Sequence, residues 1–318
     1  MEADGHVRRV EGVILLDKPP GISSNAALQA VRRLFRGVKA GHTGTLDPLA
    51  TGLLPICLGP ATKFAGGLLE TDKTYQALIR LGTATSTGDA EGEAVFRGSL
   101  EGCMERVPET LGAFTGEIEQ MPPMFSAVKH HGRALYSYAR AGEAVERQAR
   151  RVTVYGLELL SASGEDILVR VHCSKGTYIR ALAHDIGQHL GCGAHVKALR
   201  RTQIGELEID DALELDALAA LSEADREKCL LPPDILLSDL PAVVLDQVRA
   251  DALLQGRSVA IPEPQPVGAL RLYGENGLFL GLGMHGEDGL LCPRRMCTRP
   301  AQRAAPRRSD LSTGAVQR

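Results

Sequence analysis

A single carboxylate, Asp47, lies in a glycine- and threonine-rich segment between two apolar runs, residues 41–54 (GHTGTLDPLATGLL). The glycines permit backbone angles and close approaches that other side chains forbid. Pro48 restricts the backbone of Asp47 to extended geometry and so fixes the direction of the carboxylate. An aspartate held in this way can act as a nucleophile. The alternative is that Asp47 caps a turn or a helix, a common role for Asp beside Pro and Gly.

The elements that must position this loop are predicted from the apolar pattern on its N-terminal side. Residues 13–16 form a short apolar run that ends in Asp-Lys-Pro-Pro-Gly, which is typical of a strand leading into a loop. This assignment places Lys18 at a strand end. A serine or asparagine at positions 23–25 can then cap a helix that runs to Phe35.

Further along the chain, residues 75–81 and 167–173 carry the β-forming residues typical of strands. Residues 177–190 have apolar side chains at helical spacing, which places Arg180 in the first turn of a helix. Residues 213–221 predict a small amphipathic helix. Together these elements indicate an α/β domain.

The formal net charge is -3, but the charges are unevenly distributed. Residues 129–201 hold twelve Lys or Arg against six Asp or Glu, whereas residues 205–239 hold eleven acids against two bases. Phosphate binding requires a local positive surface rather than a basic total, so we expect RNA to lie on the basic part. The alternative is an ordinary solvated surface, which would account equally well for Arg147, Arg150 and Arg151.

After residue 239 the pattern changes to short β-like runs separated by glycine and proline, which predicts a compact β barrel. The runs are residues 242–245, 270–273, 278–282 and 289–292. Residues 298–318 are rich in Ala, Arg, Pro and Ser and are predicted to be a disordered basic tail.

The composition predicts a soluble chain of two domains. With 318 residues, 44% of them hydrophobic, it can bury a sizeable core. No apolar run approaches the length of a membrane span, and residues 1–11 lack the apolar core of a signal peptide, so we expect a cytoplasmic location without membrane association. The seven scattered cysteines favour reduced thiols, and no paired C-x-x-C spacing supports a metal site.

Several motifs accompany the Asp47 loop in a fixed order, and together with it they resemble the TruB-type tRNA pseudouridine synthases. They are residues 12–24 (GVILLDKPPGISS), 73–75 (KTY), 81–92 (LGTATSTGDAEG), 121–129 (MPPMFSAVK) and 173–180 (CSKGTYIR). A set of long motifs in order is far more specific than one short pattern.

The resemblance implies an α+β mixed-sheet catalytic domain over residues 1–238, with an RNA-clamping segment at about 121–151. It implies a small PUA-like RNA-binding barrel over residues 239–297, followed by the tail. The implied reaction isomerises uridine 55 in the T arm of tRNA to pseudouridine, after the base is flipped out of the RNA. No external cofactor is required.

The resemblance also implies three catalytic residues. Asp47 is the essential aspartate, and Arg180 is its expected partner, because a guanidinium keeps a nearby carboxylate ionised and orients it. Without the resemblance, Arg180 could equally bind phosphate or a surface acid. Tyr75 is expected to stack on the base and to take part in removal of the C5 proton, although a tyrosine in a strand is more often core packing.

Seven further residues are predicted to bind substrate. His42 matches the family position that fills the space left by the flipped base, or is an ordinary turn histidine, and Asp89 orients neighbours or forms an Asx turn. Two residues are expected to line the base pocket and three to contact phosphate. The pocket residues are Tyr178 and Leu199, and the phosphate contacts are Lys18, Lys129 and Arg200.

The chain departs from the family pattern within the clamping segment. Phe125 replaces a common tyrosine, and Arg147 lacks the proline that often precedes it in the family. These differences concern RNA contacts rather than the chemistry of Asp47.

Other functional classes remain to be compared. A noncatalytic RNA-binding or tRNA-folding module would use the same basic surface and barrel. A glycosidase needs paired carboxylates, and none is evident beside Asp47. A serine hydrolase is disfavoured because no Gly-x-Ser-x-Gly motif occurs. The expected partner is tRNA. We expect no obligate protein partner and a monomeric protein.

Overall fold

The computed structural model of this chain describes residues 10–302 except 127, 144 and 263, and of residues 298–302 it describes the backbone alone. The strands are β1 (Gly12–Lys18), β2 (Ala40–His42), β3 (Thr51–Leu58), β4 (Lys73–Leu81), β5 (Thr83–Thr85), β6 (Ala94–Arg97), β7 (Gly116–Gln120), β8 (Lys129–His130), β9 (Arg133–Ala134), β10 (Arg150–Ser163), β11 (Asp166–Cys173), β12 (Ala194–Ile204), β13 (Leu207–Glu208), β14 (Leu213–Glu214), β15 (Ala242–Leu245), β16 (Val259–Ala260), β17 (Gly268–Gly274), β18 (Leu278–His285) and β19 (Leu290–Gln302).

The helices are α1 (Ser24–Leu34), α2 (Cys103–Ala113), α3 (Leu135–Arg140), α4 (Ile179–Leu190), α5 (Leu215–Ala220), α6 (Glu223–Lys228) and α7 (Gln247–Leu254). Short 3-10 helices occur at Gly59–Lys63, Gly67–Leu69, Ile209–Asp211 and Pro233–Leu237.

The first sheet is mixed and has ten strands, in the order β14-β1-β3-β12-β4-β11-β10-β7, with β2 beside β3 and β13 beside β12. β12 is parallel to β3 and antiparallel to β4, so it joins the two halves of the sheet. The α/β mixed-sheet prediction is confirmed. The sheet centre, β3-β12-β4, is where the functional residues collect.

β1 is buried on both faces, as its continuous apolar run requires. Ile14 and Leu16 belong to the core that packs against α1 and α4, whereas Val13 and Leu15 belong to a second core on the opposite face. That second core extends to Phe279 of the C-terminal sheet, whose ring lies 5.4 Å from that of Phe64.

The predicted elements beside the Asp47 loop are confirmed. Ser23 caps α1, since its hydroxyl accepts a hydrogen bond from the Ala26 amide at 3.1 Å. Lys18 is the last residue of β1. α4 begins at Ile179, two residues later than predicted, and Arg180 lies in its first turn.

The helix predicted over residues 213–221 is shorter in the structure. Leu213 and Glu214 form β14, in which Leu213 is the register partner of Leu16, and only Leu215–Ala220 is helical. Pairing with the edge of the sheet therefore overrides the helical pattern at these two residues.

The C-terminal sheet has five strands, in the order β15-β17-β18-β19-β16. Its edge strands β15 and β16 do not pair with each other, so it forms a half-barrel, which is consistent with a PUA-like domain, rather than the compact closed barrel that the β-runs predicted. The four predicted β-runs fall on its strands, except that Gly289 precedes β19, whereas α7 was not predicted. β19 continues to Gln302, past the predicted boundary at residue 297, and residues 303–318 of the predicted tail lie outside the described residues.

No helix in the described part of the chain is both long and apolar enough to cross a membrane.

Candidate active site

The Asp47 loop connects β2 to β3 and is fastened on both sides of Asp47. The Ser24 hydroxyl accepts a hydrogen bond from the Leu46 amide at 2.7 Å and donates one to the Leu46 carbonyl at 2.9 Å. On the other side, the Lys18 ammonium donates to the Pro48 carbonyl at 3.3 Å. The backbone of Asp47 is thereby held between two fixed neighbours.

Lys18 does not have the setting that was predicted for a phosphate contact. Its side chain is fully buried, and besides Pro48 its ammonium donates to the Pro19 and Ile22 carbonyls at 2.8 and 2.7 Å. Burial lowers the pKa of Lys18 to about 8, despite the opposing influence of Asp47. We therefore assign Lys18 to holding the two loops together rather than to contact with RNA.

Arg180 meets Asp47 through two nitrogens. Its Nε lies 2.9 Å from Oδ2, and its Nη2 donates to Oδ1 at 3.2 Å. Arg180 is itself fixed, because it also donates to the Thr87 carbonyl at 3.0 Å and the Phe125 carbonyl at 2.7 Å. The side chain of Arg180 is 6% exposed and that of Asp47 35%, so the carboxylate lies at the boundary between protein and solvent.

Asp89 lies behind Arg180, with its Oδ2 3.5 Å from Nη1 of the guanidinium. Its other oxygen accepts from the Glu91 amide at 3.1 Å and from the Thr87 hydroxyl. Both interpretations of Asp89 therefore apply, since it forms an Asx turn and also contacts the active-site arginine. It is not among the residues that line the substrate cavity, so among the described residues it does not provide the second carboxylate of a glycosidase.

Burial raises the pKa of Asp47 above its ordinary value, and the charge of Asp89 adds to this effect. Arg180 and Lys18 oppose it. A carboxylate that is poorly solvated and yet oriented by a guanidinium is suited to nucleophilic attack or to stabilising a positive sugar carbon.

A cavity of about 360 Å³ opens beside Asp47, within the size range of small-molecule sites. Its walls are Thr43, Gly44, Thr45, Leu46, Asp47, Leu69, Lys73, Tyr75, Ser126, Ser174, Gly176, Thr177, Tyr178, Ile179, Arg180, Leu199 and Arg201. The structure thus brings five of the predicted site residues into one cavity: Asp47, Tyr75, Tyr178, Arg180 and Leu199.

Three of these residues form aromatic or apolar walls of the cavity. Tyr75 lies on β4, and burial raises the pKa of its hydroxyl, so the phenol is neutral at physiological pH. Tyr178 precedes α4, where its amide donates to Gln120 Oε1 at 3.0 Å. Leu199, on β12, is buried and apolar.

His42 ends β2 next to the cavity without lining it. Its Nδ1 accepts a hydrogen bond from the Gly44 amide at 3.4 Å, which ties the ring to the start of the Asp47 loop. Burial, together with the charge of Arg201, lowers the pKa of His42. The ring is therefore neutral at physiological pH.

The remaining predicted phosphate contacts lie outside this cavity. Arg200 forms a forked ion pair with Asp17, with distances of 3.0 and 2.6 Å, in a separate cavity, so its guanidinium is already paired. Lys129 is exposed and lines a third cavity, of about 450 Å³, together with Arg147 and Arg150. Only Lys129 retains the setting expected of a phosphate contact.

Arg201 lines the substrate cavity, and the sequence did not single it out. It is buried, whereas the neighbouring Arg200 is partly exposed. The alternation of a strand is the signal that could have found it: two consecutive arginines in β12 face opposite sides of the sheet, so one of them must face the interior.

Among the described residues, no group of three or more His, Cys, Asp or Glu side chains is placed to hold a metal ion. The cavity instead combines one oriented carboxylate, two tyrosines and two buried arginines around a space of about 360 Å³.

Comparison with known sequences matches three family profiles in order along the chain. They are the TruB family pseudouridylate synthase N terminal domain over residues 32–179, the tRNA pseudouridylate synthase B C-terminal domain over residues 180–238, and the pseudouridine synthase II TruB C-terminal profile over residues 241–297.

Similar curated proteins carry the name tRNA pseudouridine synthase B. The one from Aromatoleum aromaticum is 53% identical over 292 residues, covering 92% of this chain and 94% of the relative. The one from Dechloromonas aromatica is 50% identical over 289 residues, covering 91% and 96%.

Similar solved structures include "Structure of H/ACA RNP bound to a substrate RNA containing 2'-deoxyuridine" (TM-score 0.69, 27% identity, 91% of this chain and 85% of that one). A second is "Crystal Structure of a Cbf5-Nop10-Gar1 Complex" (TM-score 0.67, 28% identity, 93% and 84%).

Proposed function

Because this chain belongs to the TruB family of pseudouridine synthases, we propose that it isomerises uridine 55 in the T arm of tRNA to pseudouridine. Formation of pseudouridine in tRNA is supported by the curated relatives, which are named tRNA pseudouridine synthase B. One of them is 53% identical over 92% of this chain. The position within tRNA and the roles of individual residues are parts of the proposal.

One observation carries the assignment of the site: the forked contact between Arg180 and Asp47 at the edge of a cavity that also contains Tyr75. The reaction breaks the bond between ribose C1′ and N1, turns the base and rejoins it through C5. We propose that Asp47 acts on the ribose, as nucleophile or as charge stabiliser. Arg180 orients its carboxylate.

We propose that the cavity walls bind the detached base. Tyr75 stacks on uracil and takes part in removal of the C5 proton, and Tyr178 and Leu199 enclose the ring so that the free base is retained. Stacking on an aromatic side chain contributes about 1 to 3 kcal/mol per base. Such retention matters because a base lost to solvent would leave an abasic site in the RNA.

Access to the cavity requires the target nucleotide to leave the RNA stack, at a cost of a few kcal/mol. We assign His42 to the space that the base vacates, since its neutral ring adjoins the loop that carries Asp47. The segment at about residues 121–151, with Lys129, is assigned to clamping the RNA. We further propose that residues 1–238 form the catalytic domain and residues 239–297 a PUA-like RNA-binding domain.

We also propose that the protein acts as a monomer in the cytoplasm. The reaction needs no cofactor because it rearranges bonds within one nucleotide without net oxidation or hydrolysis.

The test is tritium release from a tRNA transcript labelled at uridine C5, with pseudouridine mapped by carbodiimide-dependent stops in reverse transcription. The control transcript has cytidine in place of uridine 55. We expect release that maps to position 55 and is absent with the control. Equal release from both transcripts would contradict the position. Binding of tRNA without release would instead support a noncatalytic RNA-binding or tRNA-folding module.

A further inference from the structure

Arg201 is a buried arginine in β12 whose charge the described residues do not neutralise. It is 2% exposed and is one of the largest fully buried side chains. Arg180 pairs with Asp47, and Arg200 pairs with Asp17. In the part of the chain that the structure describes, no Asp or Glu lies within ion-pair distance of Arg201.

The guanidinium of Arg201 instead donates hydrogen bonds to backbone carbonyls on both sides of Asp47. Its Nε donates to the Leu53 carbonyl at 2.8 Å, and its Nη2 donates to the Gly44 carbonyl at 3.1 Å. Gly44 precedes Asp47 by three residues, and Leu53 follows it by six. One side chain therefore ties the two ends of the loop together.

Arg201 also adjoins a second residue of the cavity. It is the register partner of Tyr75 across β12 and β4, and it opposes the rise that burial causes in the pKa of the Tyr75 hydroxyl. All three residues, Asp47, Tyr75 and Arg201, line the same cavity. Arg201 is thus bonded to the carboxylate loop and lies beside the tyrosine in the same cavity.

A buried cation whose hydrogen bonds go to backbone carbonyl oxygens is poorly compensated and stabilises any negative charge that develops nearby. When the bond between C1′ and N1 breaks, its electron pair stays on the uracil ring. The base therefore becomes more negative inside a cavity that has a fixed positive charge on its wall.

We propose that Arg201 is a positioning residue for the isomerisation, which fixes the Tyr75 hydroxyl relative to the Asp47 loop and, through that hydroxyl, places positive charge next to the detached base. This inference rests on the proposed function. The guanidinium of Arg201 has two roles in this proposal. Positioning requires the several nitrogens of the guanidinium, which bond separate acceptors, whereas stabilisation of the base requires only the positive charge.

The test compares single-turnover pseudouridine formation and tRNA affinity in Arg201→Met, Arg201→Lys and a matched control, Arg170→Met. Arg170 is a half-exposed arginine of β11 paired with Glu158, so the same chemical change is made far from the cavity. We expect Arg201→Met to lower the rate about 100-fold, the scale of losing one preorganised donor, with tRNA affinity within about threefold. Arg201→Lys should recover about tenfold of this loss, and Arg170→Met should equal the wild type.

The same substitutions in a Tyr75→Phe background separate positioning from a merely structural role. If Arg201 acts through the Tyr75 hydroxyl, Arg201→Met should cost less than about threefold once that hydroxyl is gone, because residues in one network are not additive. The full loss in both backgrounds would overturn the proposal, as would a rate for Arg201→Met equal to that of Arg170→Met.

Circular dichroism and melting temperatures accompany each variant. If Arg201→Met does not fold, the comparison is made with Arg201→Lys, for which an equal loss with and without Tyr75→Phe again overturns the proposal. Absence of pseudouridine in the wild-type reaction defeats the proposed function itself, and the inference with it. That failure is distinguishable because it appears in the unsubstituted protein.

Discussion

Arg180 contacts both carboxylate oxygens of Asp47, with Nε 2.9 Å from Oδ2 and Nη2 3.2 Å from Oδ1. The same Nη2 donates to the Phe125 carbonyl at 2.7 Å, at the start of the segment assigned to clamping RNA. A shift of that segment on RNA binding would therefore act directly on the guanidinium that aims Asp47. Under the proposed function, this contact connects RNA binding to the geometry of the Asp47 carboxylate.

Substituting Arg180 with Met should destabilise the fold by about 3–5 kcal/mol, the usual cost of leaving a buried charge unpaired. Asp47 and Asp89 would then share a site without their common cation, and Asp89 is almost completely buried. The measurement is urea unfolding at neutral pH. Arg170→Met, which removes a half-exposed ion pair, serves as the control and should cost less than about 1 kcal/mol. Equal losses in the two variants would contradict the account.

The reaction rate should fall on the acid side at a pH above the ordinary pKa of an aspartate. Burial raises the pKa of Asp47 from 3.8, and the reaction needs the ionised carboxylate, so activity is lost as pH falls through this raised value. Removing the charge of Arg180 removes an influence that lowers the pKa, so the acid limb should move to higher pH in Arg180→Met. Single-turnover rates from about pH 4.5 to 8 test this. An unmoved acid limb would refute it.

Lys18→Met should loosen the Asp47 loop, because three backbone carbonyls lose their donor. The pKa of Lys18 in the folded protein is lowered from 10.5 to about 8, so between these values the unfolded chain binds more protons than the folded one. The stability contributed by Lys18 therefore rises with pH across this window. Unfolding free energies at about pH 7 and 9.5 should show a larger gap between wild type and variant at the higher pH. A gap that shrinks would contradict the assignment.

Lys129→Met should weaken tRNA binding without slowing the reaction at saturating tRNA. If Lys129 neutralises one phosphate, the slope of log affinity against log salt should become shallower by about 0.9. The control is Lys228→Met, which removes an exposed lysine of the acidic segment that is paired with Asp225. A salt slope unchanged in Lys129→Met would remove this residue from the RNA-binding surface.

The local elements around the site could be predicted because they depend on short-range signals. Ser23 caps α1 by the usual side-chain contact, and Arg180 lies in the first turn of α4 because the apolar period of that helix is strong. The loop that carries Asp47 was evident from its glycines and Pro48. A compact β barrel was predicted from four short β-runs, whereas the structure has a half-barrel, and its helix α7 was missed.

The pair of Asp47 and Arg180 was predicted and is present. The partners of the other charged side chains could not be predicted, because they depend on which strands become neighbours. Lys18 was expected at phosphate and instead holds three carbonyls, and Arg200 is occupied by Asp17. Arg201 was passed over, although it lies at the junction of β3, β12 and β4. The sequence therefore indicated Asp47 and its partner Arg180, but not the contacts of the other cations near the loop.

The most direct test of the account is single-turnover pseudouridine formation by Asp47→Asn, beside Asp251→Asn as a control on the exposed face of α7. Removing the carboxylate should lower the rate by roughly a thousandfold or more, while tRNA affinity and melting temperature stay close to those of the wild type. Asp251→Asn should have no effect. Wild-type rates in Asp47→Asn would contradict the central claim that this carboxylate carries the reaction.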